Sequence, residues 1–573
     1  MPFRDQITDT FLAYDFKPKR KPPHFQQAFV RGYDTKLGIF QVQFTEICSG
    51  MTHLPKAYLL SVPEPLRNRV LPDINADKSI CYLDTESTNL FPLDPCGSIA
   101  TCIALVEKLI QIWVSDESHE ELQAEFSSYW QPEYPVFNIS TKPAGIYCTF
   151  ERTNLAGNIC VEIVQADTEK EAIAWLESRG GRNPSKFCPA LTQNISQKLY
   201  VPQDMQWPAD NLKEFLCWVS AIDPTAYQAL IGKLVAHVCN NKKIILCIKQ
   251  ESEVFSAQIE FTDSGLKVLE RARGSKKITS RKNGYKLTQL VAALSGKLMT
   301  KSFKRLWVED ASSTLLFQRN QPNQNTLSNK RIALIGCGTI GGYTAQVLTQ
   351  CGAGAEQGSI HLFDDDILNT GNLGRHLLGK KYLLELKSQG LKHFLDSQGL
   401  PVSIVAQKKF NEEDIRKPWD LIIDATGSDT FSVLLASWYR KHEPTKTQPT
   451  LIHGWVDAYG KAARVLKDDR SGACYCCMST YQGNDRSPRF PLFADGKAPN
   501  HNLAFRRQCG RTYMPFSSQP SLAAAGLIQS MALTTDKKRE PTFRQLSFSS
   551  DVQRAKDQIL KPVKGCPVCS KQS

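Results

Sequence analysis

Gly336, Gly338 and Gly341 stand in the run RIALIGCGTIGG at the spacing of a strand–turn–helix nucleotide turn. Small residues there allow a tight turn, let the backbone approach a phosphate and leave a helix N-terminus facing negative charge. A second apolar strand, Ser359 to Phe363, ends in Asp364, Asp365 and Asp366, where a ribose-binding acid is expected. A dehydrogenase needs little more than that. Here Asn372 and Arg375 follow at once, and then a helix that carries Lys387. Two cations and an amide beside such a turn suit the negative charge of a triphosphate, so the expected ligand is ATP.

The chain has 18 cysteines. In a cytosolic protein they are not expected to form a disulfide framework, because that compartment keeps thiols reduced. Cys474 and Cys477 form one Cys-x-x-Cys, and Cys566 and Cys569 form another near the carboxyl end. Two such knuckles fit tetrahedral thiolate coordination, and a structural zinc is expected there. Cys476 lies inside the first knuckle and is an alternative ligand. Cys509 sits in FRRQCGRTYMPF, with Arg506, Arg507 and Arg511 nearby. Adjacent cations favour thiolate over thiol, as a nucleophile requires. His53, His376 and His453 read as structural, since a lone histidine beside an apolar run is more often a satisfied core residue.

The glycine turn, the Asp-x-Asp at 364 and 366, Asn372, Arg375 and Lys387 together resemble the ThiF/MoeB and ubiquitin-activating family. The resemblance implies that Arg375 and Lys387 stabilise phosphate charge and that Asp364 holds ribose or magnesium. That family usually has a magnesium-binding Asp where this chain has Gly427, so Asp424 before it or Asp429 after it would take that place, with Asp424 preferred. The segment around Cys509 corresponds to the loop that carries the catalytic cysteine in ubiquitin-activating enzymes. Arg319 resembles an arginine that some relatives contribute across a dimer interface, which implies a homodimer.

Cys81 belongs to a different pattern. Strand signals lead into LPDINADKSICYLD and then an apolar helix, which is similar to the ubiquitin-conjugating fold. There a His-Pro-Asn turn precedes the active cysteine, and Pro72 and Cys81 fit the spacing to within one residue. Leu71 and Asp73 stand where His and Asn are usual, so the oxyanion-stabilising amide is absent unless Asn75 supplies it. Cys81 is the expected thioester carrier. Conjugating-like and activating-like domains in one chain resemble the fused ligases of CBASS antiphage operons. Those join the carboxyl terminus of a CD-NTase to lysines of target proteins. A sulfur-carrier adenylyltransferase is the alternative, but it leaves the amino-terminal segment idle.

The elements that must position these residues fall into three segments. Residues 1–132 read as an α+β ubiquitin-conjugating-like domain, 133–310 as an α/β middle or linker domain, and 311–573 as a Rossmann-like adenylation domain with a parallel-rich sheet. The overall class is α/β. The proline-bearing stretch YWQPEYPVFNISTKPAG reads as a linker. A total of 573 residues, 41% hydrophobic and 22% charged, suits two to four soluble domains. No apolar run of membrane-spanning length and no signal peptide are evident, so a cytoplasmic location is expected and no membrane partner. Net charge is +13, and its densest cluster, ERARGSKKITSRKNGYK, reads as a solvated face or an acidic-partner patch. Without a recognised motif beside it, nucleic acid is not expected as a partner.

Overall fold

Period-two alternation of apolar and polar side chains builds the first sheet, as it should for strands with one buried face. Its five antiparallel strands run in chain order: β1 (Lys17–Lys19), β2 (Ala28–Thr35), β3 (Gly38–Thr45), β4 (Lys56–Ser61) and β5 (Ser79–Ile80). In β3, Phe40, Val42 and Phe44 are fully buried while Ile39 and Gln41 face outward. The computed structural model describes residues 3–19, 28–47, 55–67, 71–75, 77–83, 91, 93–115, 123, 126–130, 132–202, 205, 207–237, 242–251, 253–274, 299–319, 321, 325–443, 448–457, 460–482, 485–494, 505–508, 511–513, 516–534 and 540–569. They divide into two compact units, Met1–Asp310 and Ala311–Ser573.

Helix Pro95–Trp113 covers the buried face of this sheet. Asp94 caps it by accepting from the Gly97 amide, and Pro95 occupies the first turn, where its missing N–H costs nothing. By length and composition this helix could cross a membrane, contrary to the expectation that no such run exists. Its apolar stripe has another use. Ile99, Ile103, Val106 and Ile110 recur at helical spacing and pack with Phe29, Phe40 and Phe44 in one core, which helix Phe3–Ala13 completes through Ile7 and Phe11. Glu107, off that stripe, pairs with Arg31 at 2.6 Å.

The rest of the first unit is a closed seven-stranded barrel. Its strands are β6 (Tyr134–Asn138), β7 (Ala144–Thr153), β8 (Ile159–Ala166), β9 (Cys188–Asn194), β10 (Lys243–Gln250), β11 (Glu253–Phe261) and β12 (Thr300–Asp310). The spatial order is β10-β11-β12-β6-β8-β7-β9, and a parallel β9–β10 pairing closes the ring. The expected linker is therefore not one. Residues 134–138 form a strand between β12 and β8, and Tyr129 and Trp130 are buried. Pro135 misled the sequence reading, but pairing with β8 starts only at Val136, so its missing N–H is spared on that side. Helices Leu212–Ile222 and Pro224–His237 cover the barrel through Phe215, Trp218 and Leu230, against Trp130, Trp207 and Phe255. Most of the basic cluster, residues 275–286, lies outside the described residues.

In the second unit, short runs buried on both faces form a mostly parallel sheet, the pattern helices on both sides impose. Its members are β13 (Arg331–Ile335), β14 (Ser359–Phe363), β15 (Ile404–Gln407), β16 (Leu421–Asp424), β17 (Thr450–Asp457) and β18 (Ala462–Asp468). Two separate hairpins follow, β19 (Ser479–Gln482) with β20 (Asp485–Pro488), and β21 (Phe505–Gln508) with β22 (Arg511–Tyr513); β23 (Phe543–Ser547) returns to the sheet. The order is β15-β14-β13-β16-β17-β18-β23, parallel from β15 to β17 and antiparallel beyond. Strand order reverses between β13 and β16. In a doubly wound sheet, that is where a crevice opens at the carboxyl ends of the strands.

Candidate functional site

The turn after β13 is built by two glycines with different duties. Gly336 has φ +88°, a left-handed conformation, and a Cβ there would lie 2.9 Å from the Thr426 backbone. Gly341 lies in the first turns of helix Thr339–Gln350, where a Cβ would come within 1.7 Å of the Gly336 carbonyl oxygen. Gly338, the N-cap residue, faces open space. Two glycines thus close the turn, and the third leaves room above the helix N-terminus. His376, a buried residue set aside in the sequence, pins the turn from behind. Its Nδ1 accepts from the Leu378 amide at 3.0 Å, so Nε2 carries the proton and donates to the Cys337 carbonyl at 2.9 Å.

In front of this turn lies a cavity of about 510 Å³. Gly336, Gly338, Asp364, Asp366 and Lys387 all line it, so five of the nine residues expected to bind the nucleotide meet there. Asp364 accepts from the Cys337 amide at 2.6 Å and from the Asp366 amide at 2.8 Å, which ties the end of β14 to the glycine turn. Burial raises the Asp364 carboxyl above its ordinary value, against the pull of those amides. Lys387, buried at the first turn of helix Lys387–Asp396, pairs with Asp366.

The other four sit around this cavity, off its wall. Gly341 supports the turn from below. Asn372 folds its own loop, accepting from the Asn369 amide at 3.0 Å. Arg375 stands beside Phe516, a lining residue, with its guanidinium carbon 4.5 Å from the ring centroid. Asp424, expected to hold magnesium, is 1% exposed and faces away. Its oxygens accept from Thr426 Oγ1 at 2.7 Å, the Thr426 amide at 3.1 Å, Ser432 Oγ and His453 Nδ1 at 2.8 Å. Burial alone would raise its carboxyl, yet His453, Ser432 and Thr426 hold it below the ordinary value. That carboxylate shapes the turn through Gly427, where φ is +64°, and presents nothing to a ligand. Lys408, Lys409 and Phe410, which no sequence motif marks, also line the cavity after β15. Their place at the carboxyl end of a parallel strand was the available signal.

In the first unit, the Leu71–Pro72–Asp73 turn is pinned from three directions. The Pro72 carbonyl accepts from Trp113 Nε1 at 2.9 Å, the Asp73 amide donates to the Tyr129 hydroxyl, and the Asp73 carbonyl accepts from the Cys81 amide at 2.8 Å. Asp73 adopts φ +61°, and Cys81 is exposed at the end of β5. Leu71 fills the usual histidine position as a buried core residue. Asn75 donates to Ser79 Oγ at 2.9 Å, so its amide is engaged locally. Cys509 lies outside the described residues.

The two knuckles come together. The Sγ atoms of Cys474, Cys477, Cys566 and Cys569 all lie within 4.8 Å of one another. The separations are 4.0 Å for Cys474–Cys477, 3.7 Å for Cys474–Cys566 and 3.6 Å for Cys477–Cys569. Four sulfurs about 2.3 Å from one ion at tetrahedral angles would be about 3.8 Å apart, so the donor set fits a thiolate-bound metal. Cys476 is buried but stands outside this set. Gly565, at φ +77°, lets the second knuckle turn.

A cavity at the switch point of a doubly wound sheet and an exposed thiol behind a pinned Pro-bearing turn mark two separate domains. Family models identify both: the ThiF family matches residues 312–551, and prokaryotic E2 family B matches residues 34–139. The chain is thus a fusion of a ubiquitin-conjugating-like domain with a ThiF-type adenylation domain, a ubiquitin-activating/conjugating-like ligase that uses ATP for conjugation. It is similar along its length to the ATP-dependent ubiquitin transferase-like protein Cap2 of Escherichia coli (strain TW11681), with 29% identity covering 95% of this chain and 94% of that one. Cap2 of Vibrio cholerae serotype O1 is 29% identical over 97% of this chain and 95% of its own. Among solved structures, E. coli MccB with ATP is 19% identical and covers 42% of this chain and 67% of that one, at a TM-score of 0.30.

Proposed function

We propose that the chain adenylates the C-terminal carboxylate of a protein partner and delivers the acyl group to a target lysine through two thioesters. The observation that carries this reading is the pairing, in one polypeptide, of a nucleotide cavity lined by Lys387 with an exposed Cys81 held against the Asp73 turn. A carboxylate oxygen of the partner attacks the α-phosphorus of ATP. The bond from that phosphorus to the bridging oxygen breaks, and pyrophosphate leaves. The Cys509 thiolate then attacks the acyl carbon and AMP departs. The Cys81 thiolate displaces Cys509, and a lysine amine displaces Cys81 with loss of a proton.

Lys387 and Arg375 stabilise phosphate charge in this scheme, and Asp364 with Asp366 orients the ribose. Magnesium accompanying the triphosphate is assigned to the acidic residues that line the cavity, Asp364 or Asp365, in place of Asp424. Zinc is assigned to Cys474, Cys477, Cys566 and Cys569, where it would cross-link the carboxyl end to the loop after β18. The proposed domains are 1–132, 133–310 and 311–573. The acyl donor is proposed to be a CD-NTase, within an antiphage system in the cytoplasm. Arg319 would act across a homodimer interface.

The test is incubation with ATP and a CD-NTase, followed by non-reducing gels. Thiol-sensitive adducts should form, and Cys81→Ala should strand the acyl group on Cys509, whereas Cys509→Ala should abolish both adducts. An adduct that forms and turns over normally in Cys81→Ala would overturn the relay in favour of a sulfur-carrier adenylyltransferase. ATP–pyrophosphate exchange that survives Arg375→Ala undiminished would overturn the assigned phosphate contacts.

A further inference from the structure

The four-sulfur set stands next to a chain of contacts that ends at the nucleotide cavity. Tyr475 lies between Cys474 and Cys477 in the short helix Tyr475–Met478, so its backbone is fixed when those two sulfurs are fixed. It is buried, and the Tyr481 hydroxyl holds the next residue by donating to the Cys476 carbonyl at 2.8 Å. The Tyr475 ring packs against His453, with ring centroids 4.8 Å apart. His453 is fully buried; its Nδ1 bonds Asp424, and its Nε2 has no hydrogen-bond partner among the described residues. One hydrogen bond fixes such an imidazole at a single atom, and ring packing sets the rest of its position. Asp424 passes that position on. Its other oxygen accepts from the Thr426 amide and hydroxyl. Thr426 and Gly427 line the cavity, and a Cβ on Gly336 would come within 2.9 Å of the Thr426 backbone. In a close-packed interior, a displacement of the Tyr475 ring is felt at that wall. Arg486 offers a second route, bonding Ser479 Oγ at 2.8 Å and Asp429 at 3.2 Å. Its pair with Asp429 is exposed, and such pairs contribute little.

We propose that Tyr475 is a positioning residue for nucleotide binding, coupling the four-cysteine knuckle through His453 and Asp424 to the Thr426–Gly427 wall of the cavity. This rests on the readings that the cavity takes ATP and that the four sulfurs hold zinc. The full-length protein should be titrated calorimetrically with ATP, zinc-loaded and after zinc has been stripped, below the melting temperature of the stripped form. Stripping should weaken ATP about threefold to thirtyfold. Tyr475→Leu keeps all four sulfurs and removes the ring; it should retain about one zinc per chain and weaken ATP by a similar factor. Stripping Tyr475→Leu should then change ATP affinity by less than about twofold, because the route is already cut. Tyr475→Phe, which keeps the ring, and Arg486→Ala should both respond to stripping as wild type does. By reciprocity, saturating ATP should raise zinc affinity by the same factor. Competition with a colorimetric chelator reads that on wild type alone, whether or not a variant folds. Equal ATP affinity with and without zinc, or equal loss on stripping wild type and Tyr475→Leu, would overturn the proposal. The readings beneath it fail differently, and the proposal falls with either. Wild type that binds no ATP would refute the cavity assignment, and protein that neither holds nor takes up zinc would refute the knuckle assignment.

Discussion

At the scale of single residues, the glycine turn and Asp424 make opposite lessons. Gly341 has no alternative, since a Cβ would sit 1.7 Å from the Gly336 carbonyl oxygen. Gly341→Ala should cost about 3 kcal/mol in denaturant unfolding of the second unit and abolish nucleotide binding. Asp424 was read in the sequence as a ligand residue because it stands near the position of a missing acid. Its actual duty is visible only in three dimensions, where β16 lies beside β17 and pairs Asp424 with His453. Asp424→Asn should cost about 3 kcal/mol at neutral pH by breaking a buried hydrogen-bonded charge. Because the folded carboxyl is held below its ordinary value of 3.8, the native state binds fewer protons than the unfolded chain in acid. The stabilisation is therefore complete above that value and is lost as pH falls through the lower folded value. The stability gap between wild type and Asp424→Asn should accordingly be flat near neutrality and shrink in strong acid. A gap that widened on acidification would overturn this account of Asp424.

At the scale of elements, local patterns were legible and long-range closures were not. The β13 run, its glycine turn and the acid-ended β14 could be placed from the sequence because each is a contiguous signal. So could the helix Pro95–Trp113, although its membrane-length apolar content was not expected, and packing against Phe40 and Phe44 gives that content its use. The barrel was invisible because its closing pairs join β9 to β10 and β6 to β12, segments far apart in the chain. Lys408 and Lys409 were missed for a related reason: nothing in a lysine pair marks it as cavity-lining until β15 is placed in the sheet. The two knuckles were expected to share one metal, and the gathering of their four sulfurs depends on the carboxyl end returning to the loop that follows β18. Cys474→Ser, or dialysis against a strong chelator, should release bound metal. It should also lower the melting temperature of the second unit by about 10 °C, measured by calorimetry alongside metal analysis. Cys476→Ser should retain the metal.

At the scale of the molecule, the two units carry separate cores and separate chemistry. The cluster around Ile332, Leu334 and Ile423 lies wholly in the second unit, and that around Phe40, Val106 and Trp113 wholly in the first. Residues 311–573 expressed alone should therefore fold cooperatively and bind ATP within about threefold of the full chain. Insolubility of that fragment, with the full chain well behaved, would argue that the separation at 310 and 311 is too simple. The barrel adds a mechanical consequence. Its first strand, β6, and its last, β12, lie side by side in parallel, with Leu306 to Asp310 opposite Tyr134 to Asn138. A pull on the two ends of this segment would drag β6 by its start and β12 by its finish. All five facing pairs would then be loaded together in shear, and none could be unzipped in turn. A motor that threads the chain would meet a clamp here, where all five pairs bear the load at once.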